Sequence, residues 1–309
     1  MKNTYTIIAL LFFILFPTSA QNIPTDTIPF YMAPDSRIYT WCKVNNSDSL
    51  SFLIDTGASD MVINSRLRNQ LDMQFDSFVE NQGTTGTNKT EASSNNTLIW
   101  GSKKMDQLRF IELPYPMPEL DGVLGLSVLS QFVIEINYDK KCIYLYDKDK
   151  FIPDADKSIP IQFKHNVPFI NIKIQSHNKE VTALTEIDTG SDRILDLAHH
   201  FVEQHQLSSD LGAPFAISTI TSSDGNAMQI NNVFLPCLQI GSFNLYKIPG
   251  GYANGSNQVG ILSSKEVDGM LGNTFLKRFN ITLDLSRNQL YLEVNNQMYS
   301  PFYDFLIAK

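Results

Sequence analysis

The chain has 309 residues, 43% of them hydrophobic and 18% charged, which is the balance of a folded globular protein with length for one or two domains. A net charge of −8 excludes the basic face that a nucleic-acid binder needs to displace counterions from phosphate.

In chain order, Lys2 precedes an apolar run, Ile7 to Phe16, that is too short to span a bilayer as a helix. Pro17 and the small residues Thr18, Ser19 and Ala20 follow, so residues 1–20 read as a secretory signal peptide cleaved after Ala20. An uncleaved anchor is the rival reading. No cysteine follows Ala20, so no lipoprotein attachment is expected. The protein is therefore expected to be exported, periplasmic or secreted, with no membrane span in the mature chain. The first expected strand begins within about ten residues of Gln21, so a long inhibitory pro-segment is not expected.

Residues 21–150 form the first expected lobe. Ser51-Phe52-Leu53-Ile54 is an apolar strand leading into Asp55-Thr56-Gly57, and Met61-Val62-Ile63 is a second strand. Ser65 to Leu71 reads as a short helix. Gly83-Thr84-Thr85-Gly86 has the composition of a hairpin tip. Asp147 to Ser158, charged and carrying Pro153, reads as a linker. Residues 151–309 form the second expected lobe. Phe169 to Ile174 alternates with the period of a half-buried strand, Leu195 to Leu207 reads as a helix, and Ile281 to Leu292 reads as a hairpin.

The two stretches repeat one another. Ile28-Pro29-Phe30 recurs as Ile159-Pro160-Ile161, and Asp55-Thr56-Gly57 as Asp188-Thr189-Gly190. Leu98-Ile99-Trp100-Gly101-Ser102 recurs as Leu238-Gln239-Ile240-Gly241-Ser242, and Asp121-Gly122-Val123-Leu124-Gly125 as Asp268-Gly269-Met270-Leu271-Gly272. Four motifs in the same order imply a duplication, and the whole reads as two similar all-β, barrel-like lobes with a cleft between them.

An Asp at the end of an apolar strand sits near a low-dielectric interior and must be hydrogen-bonded or paired. Two such Asp residues in duplicated halves imply that the carboxylates meet. They then cannot both ionise easily, so one serves as acid and one as base, and the pair can activate water without a metal or covalent intermediate. No metal and no other cofactor is expected. His199, His200, Glu203 and His205 cluster on the second expected helix, but they lack a His-Glu-x-x-His arrangement and read as a solvated face. Three cysteines, Cys42, Cys142 and Cys237, permit one disulfide, for which Cys42 and Cys142 are the only pair considered; three buried small hydrophobes are the other reading.

Phe52 to Ser59, Ile187 to Ser191, Asp121 to Leu126 and Gly269 to Leu276 together resemble the two active-site loops and the two apolar-apolar-Gly motifs of the pepsin-like aspartic peptidases. The resemblance implies a two-lobed endopeptidase that hydrolyses a peptide or protein substrate held extended in the cleft. It implies a catalytic pair, Asp55 and Asp188, and supporting loop residues Thr56, Gly57, Thr189, Gly190 and Ser191, with the two threonines bracing the loops. It places a flap at Gly83, Thr84, Thr85 and Gly86, with a counterpart at Ser222-Ser223-Asp224-Gly225. Both Asp-Thr-Gly copies lie in one chain, so a monomer is expected and a retroviral-type dimer is unnecessary. Ala58 stands where pepsin-like members usually carry Ser or Thr, and with Asp192 it is similar to the retroviral enzymes. Asp192 reads either as a group fixing substrate backbone or as a solvated charge. A hydroxyl at Ser191 but not at position 58 makes Asp55 the expected proton holder. Tyr115, the only tyrosine between Asp55 and Asp121, comes too late for a flap residue. The alternative is a catalytically inactive, peptidase-like protein that binds a peptide or other ligand in its cleft.

Overall fold

Short strands of alternating burial, separated by turns, leave each half with one apolar face to cover, and sheets that curl on themselves provide the cover. The computed structural model describes residues 22–84, 86–255, 262 and 265–302. The expected signal peptide lies outside the described residues, as does Thr85 of the expected flap.

In the first half the strands are β1 (Asp26–Pro29), β2 (Tyr31–Met32), β3 (Ile38–Val44), β4 (Leu50–Ile54), β5 (Met61–Asn64), β6 (Phe75–Gln82), β7 (Thr87–Trp100), β8 (Lys103–Leu113) and β9 (Gly122–Leu124). A one-turn helix α1 (Leu126–Leu129), β10 (Val133–Asn137) and β11 (Cys142–Tyr146) complete it. The second half runs through β12 (Ser158–Pro160), β13 (Gln162–Lys164), β14 (Val167–Gln175), β15 (Glu180–Asp188), β16 (Leu195–Leu197), α2 (His199–Gln204), α3 (Leu207–Leu211), β17 (Ala216–Thr221), β18 (Ala227–Ile240) and β19 (Phe243–Ala253). It ends with β20 (Gly269–Gly272), α4 (Asn273–Leu276), β21 (Phe279–Asp284) and β22 (Gln289–Val294).

Two eight-stranded sheets have the same order, β2-β3-β4-β9-β5-β8-β7-β6 and β13-β14-β15-β20-β16-β19-β18-β17. In each, an extra pairing (β3 with β7, β14 with β18) bends the sheet back on itself into a barrel-like lobe. The fold is all-β, and the repeat read in the sequence is a repeat of strand order.

A third sheet, β1-β11-β10-β21-β22-β12, takes three strands from each half and joins them where Ile136 lies opposite Ile281 and Ile134 opposite Leu283. The repeated Ile-Pro pairs occupy matching edges of this sheet, Ile28 opposite Ile143 and Ile159 opposite Leu290. The main apolar core draws on both halves; a smaller cluster in the first half gathers Tyr39, Leu53, Val62, Ile111, Leu120 and Val123.

Two expected helices are corrected. Ser65 to Leu71 yields only a 3-10 turn at Ser65–Leu67, where one buried side chain, Leu67, is too little apolar face to hold a helix that short. Within Leu195 to Leu207, the first three residues are strand β16, fully buried between β19 and β20, and pairing on both edges overrides helical periodicity. The helix starts at His199 and breaks at Gln206, whose backbone is left-handed. Cys42, Cys142 and Cys237 are all buried free thiols, so Cys42 and Cys142 are not paired. Among the described residues no helix is long and apolar enough to cross a membrane.

Candidate active site

Strand β4 runs parallel to β9, with Ile54 opposite Leu124, and delivers Asp55 to the turn that follows; Asp188 is the last residue of β15, opposite Gly272 of the parallel β20. Behind each turn the apolar-apolar-Gly strand supplies support: the Leu126 N–H donates to the Ala58 carbonyl and the Asn273 N–H to the Ser191 carbonyl, each at 2.8 Å.

Each turn folds its backbone amides onto its own carboxylate. Asp55 Oδ1 accepts the N–H groups of Gly57 at 2.8 Å and Ala58 at 3.1 Å. Asp188 Oδ1 accepts those of Gly190 at 2.8 Å and Ser191 at 3.1 Å. The threonines interlock across the halves. Thr56 Oγ1 donates to the Ile187 carbonyl at 2.6 Å and accepts the Thr189 N–H at 3.1 Å, while Thr189 Oγ1 donates to the Ile54 carbonyl at 2.8 Å and accepts the Thr56 N–H at 3.1 Å. Both threonines are fully buried, so every polar atom of the brace is satisfied inside the protein.

This brace presses the two turns together, and the Asp55 and Asp188 side chains are hydrogen-bonded to each other. Glycine is required for the approach. A Cβ on Gly57 would stand 2.9 Å from Asp188 Cγ, and one on Gly190 would collide with the Asp55 carboxylate.

Three further residues surround the pair: Glu186 and Arg37, which sequence reasoning did not single out, and Tyr115, which it set aside as too late for a flap. Glu186 lies two residues before Asp188 on β15, only 3% exposed, with Oε2 buried and without a hydrogen-bond partner. The sequence signal was available: a Glu on the inward face of an apolar strand, where the matching residue of the first half is Leu53. Arg37 precedes β3, pairs with Asp35 through Nε at 2.8 Å, and its charge reaches Asp55. Tyr115 follows β8 and is half-buried near both aspartates, although it belongs to no hairpin tip. No spacing in the sequence points to either Arg37 or Tyr115.

The electrostatics of the pair are unequal. Burial lifts Asp55 above the usual carboxylate range, while the Gly57 N–H, the bond from Asp188, the Ala58 N–H and the Arg37 charge pull it back. Asp188 is lifted well above that range, first by burial, then by the charges of Asp55 and Glu186. Burial and then the Asp55 charge push Glu186 up to about 8. Both carboxyls of the pair are raised, so one proton is shared between Asp55 and Asp188. Ser191 offers Asp188 its backbone N–H, as Ala58 does for Asp55, and the Ser191 hydroxyl accepts the Arg193 N–H at 3.2 Å. The Ala58 methyl packs on the smaller apolar cluster, as Tyr115 and Met117 do. Asp192 is exposed and acts on Arg37.

Gly83, Thr84 and Gly86 lie at the end of the β6–β7 hairpin, and Ser222 to Gly225 at the end of β17–β18. The two ends touch: the Thr84 N–H donates to Ser222 Oγ at 2.7 Å, and a Cβ on Gly86 would meet Asn226 Nδ2 at 2.5 Å. Among the helical histidines, His200 Nε2 lies 3.5 Å from Asp268, and the His205 ring packs on Phe201.

Residues 41–128 match a family model described as aspartyl protease. That stretch holds Asp55-Thr56-Gly57 and the first apolar-apolar-Gly motif, and its strand order is the one repeated in the second half. No curated protein matches the chain.

Proposed function

We propose that the chain is a two-lobed, pepsin-like aspartic endopeptidase, with residues 21–150 and 151–309 as its lobes. The observation that carries this reading is the hydrogen-bonded pair Asp55 and Asp188, held by two equivalent turns and a reciprocal threonine brace.

Asp55, stabilised as the anion by two N–H groups and by Arg37, is the base, and Asp188 the acid. A water between them loses a proton to Asp55 as its oxygen attacks the scissile carbonyl, while Asp188 gives its proton to the carbonyl oxygen. The tetrahedral diol then collapses: a hydroxyl proton returns to Asp188, the proton on Asp55 passes to the amide nitrogen, and the C–N bond breaks to give an acid and an amine. The apolar cluster with Tyr115 and Met117 at its edge offers a surface for an apolar substrate side chain beside Asp55. The paired hairpin ends serve as two flaps, which must part to admit the peptide. Since one chain carries both carboxylates, a monomer suffices. The leader, with its apolar run and small residues before position 21, supports export to the periplasm or beyond.

The test is digestion of a denatured protein across pH, with and without a statine-type inhibitor. Cleavage is expected in wild type, with loss of at least about a hundredfold in Asp55→Asn and in Asp188→Asn while the circular dichroism stays unchanged. Near-wild-type cleavage by either variant overturns the reading. Tight inhibitor binding without cleavage favours a peptide-binding protein.

A further inference from the structure

Glu186 is the buried charge that this mechanism does not use. Strand periodicity puts it on the same face of β15 as Asp188, and its side chain reaches across to the other half. Oε1 lies 2.9 Å from where a Cβ on Gly57 would stand, the same distance as Asp188 Cγ, so both carboxyls rest against one glycine of the Asp55 turn. Oε2 has no partner. The residues opposite Glu186 on the neighbouring strands are Phe169 of β14 and Met270 of β20, both buried and neither charged. The remaining titratable groups around the cluster are Asp55, Asp188, Tyr115 and Arg37, and Arg37 is held by Asp35.

In the first half the matching position is Leu53, buried at 4% in the small apolar cluster. The duplicated halves therefore part company at one side chain facing the pair, apolar on one side and acidic on the other.

Resting on the endopeptidase reading, we infer that Glu186 is a positioning residue for the pair, a third buried carboxyl that keeps the shared proton on Asp188. Three adjacent carboxyls with one partly committed cation cannot all ionise. Asp55 and Asp188 each accept two N–H groups, but Asp55 alone adds the Arg37 charge and the greatest exposure of the three, so it takes the negative charge first. Asp188 feels the charges of both neighbours, which hold its carboxyl well above the usual range. Glu186 breaks the near-symmetry of the two turns, and once ionised it biases the pair's proton toward Asp188. Its ionisation at alkaline pH strengthens the hold of Asp188 on its proton, so the pair stays singly protonated to higher pH than it would alone.

The pH dependence of stability has a definite sign. A carboxyl raised to about 8 in the folded protein from 4.5 binds a proton there that the unfolded chain has lost. Its contribution is fully present below pH 4.5 and is lost as pH rises to 8. Asp188 and Asp55 slope the same way, so the difference between wild type and variant isolates Glu186.

The experiment compares wild type, E186Q and E186L. Peptide-cleavage rate and urea stability are measured as functions of pH, with E186Q also combined with D55N. E186Q is expected to move the alkaline limb of the rate profile down by roughly one pH unit. It should also flatten the fall of stability between pH 4.5 and 8, and that flattening should shrink in the D55N background, where the charge lifting Glu186 is gone. E186L restores the residue of the other half, and stands in for E186Q if that variant does not fold. An unmoved alkaline limb with parallel stability curves makes Glu186 a packing residue and overturns the inference while leaving the peptidase reading intact. If wild type cleaves nothing yet the stability coupling to D55N is found, the peptidase reading fails and the carboxyl cluster stands.

Discussion

At Gly190 a single methyl group is enough to separate the two carboxylates, because its Cβ would occupy the place of the Asp55 side chain. Gly190→Ala should leave the strands and the threonine brace in place and force Asp55 away from Asp188. The expected result is a loss of kcat on the order of a hundredfold, the cost of about an ångström of misplacement at a reacting centre, with unfolding midpoint little changed. A variant with wild-type kcat would show that the carboxylates do not act as a touching pair. The two aspartates were legible in the sequence because a carboxylate ending an apolar strand before glycine is costly, and here it occurs twice. The surroundings of the pair were not legible, because Glu186 and Arg37 reach it through packing across the halves rather than through spacing along the chain.

Among the elements, the long hairpins β6–β7 and β17–β18 are the outermost strands of their sheets, so their ends are held by little besides each other. The Thr84 N–H to Ser222 Oγ bond is one of the links between them. Ser222→Ala removes the acceptor and adds no bulk. Amide exchange at Thr84 should speed up by about fivefold, the equivalent of one neutral hydrogen bond near 1 kcal/mol. Unchanged exchange at Thr84 would mean that the hairpins are held apart or together by something else. Their positions were readable from glycine-rich turns between alternating strands, but their contact was not, since the partners are 138 residues apart. The same separation of local from long-range explains the misread segment at Leu195. Its apolar spacing suits a helix, yet β19 and β20 take it as a strand from either side.

At the scale of the whole molecule, the six-stranded sheet makes the two halves one mechanical unit. The repeat shows two halves; it does not show that three strands from each merge, because that pairing is decided by which apolar edges remain once each lobe has closed. At the seam Ile136 and Ile281 face each other and both are fully buried, within a core that runs through both halves. The chain has two tryptophans, Trp41 and Trp100, both in the first half, and Trp100 is fully buried there. Tryptophan fluorescence therefore reports the first half, whereas far-UV circular dichroism reports both. Ile281→Ala, a change in the second half, leaves a cavity at the seam and should cost about 2–5 kcal/mol. If the halves unfold together, the urea midpoints from fluorescence and from circular dichroism should fall by the same amount and stay coincident. A fluorescence midpoint that stays put while the dichroism splits into two steps would mean that the lobes unfold independently. The carboxylate pair would then survive only as long as the weaker half does, since each half supplies one of its two members.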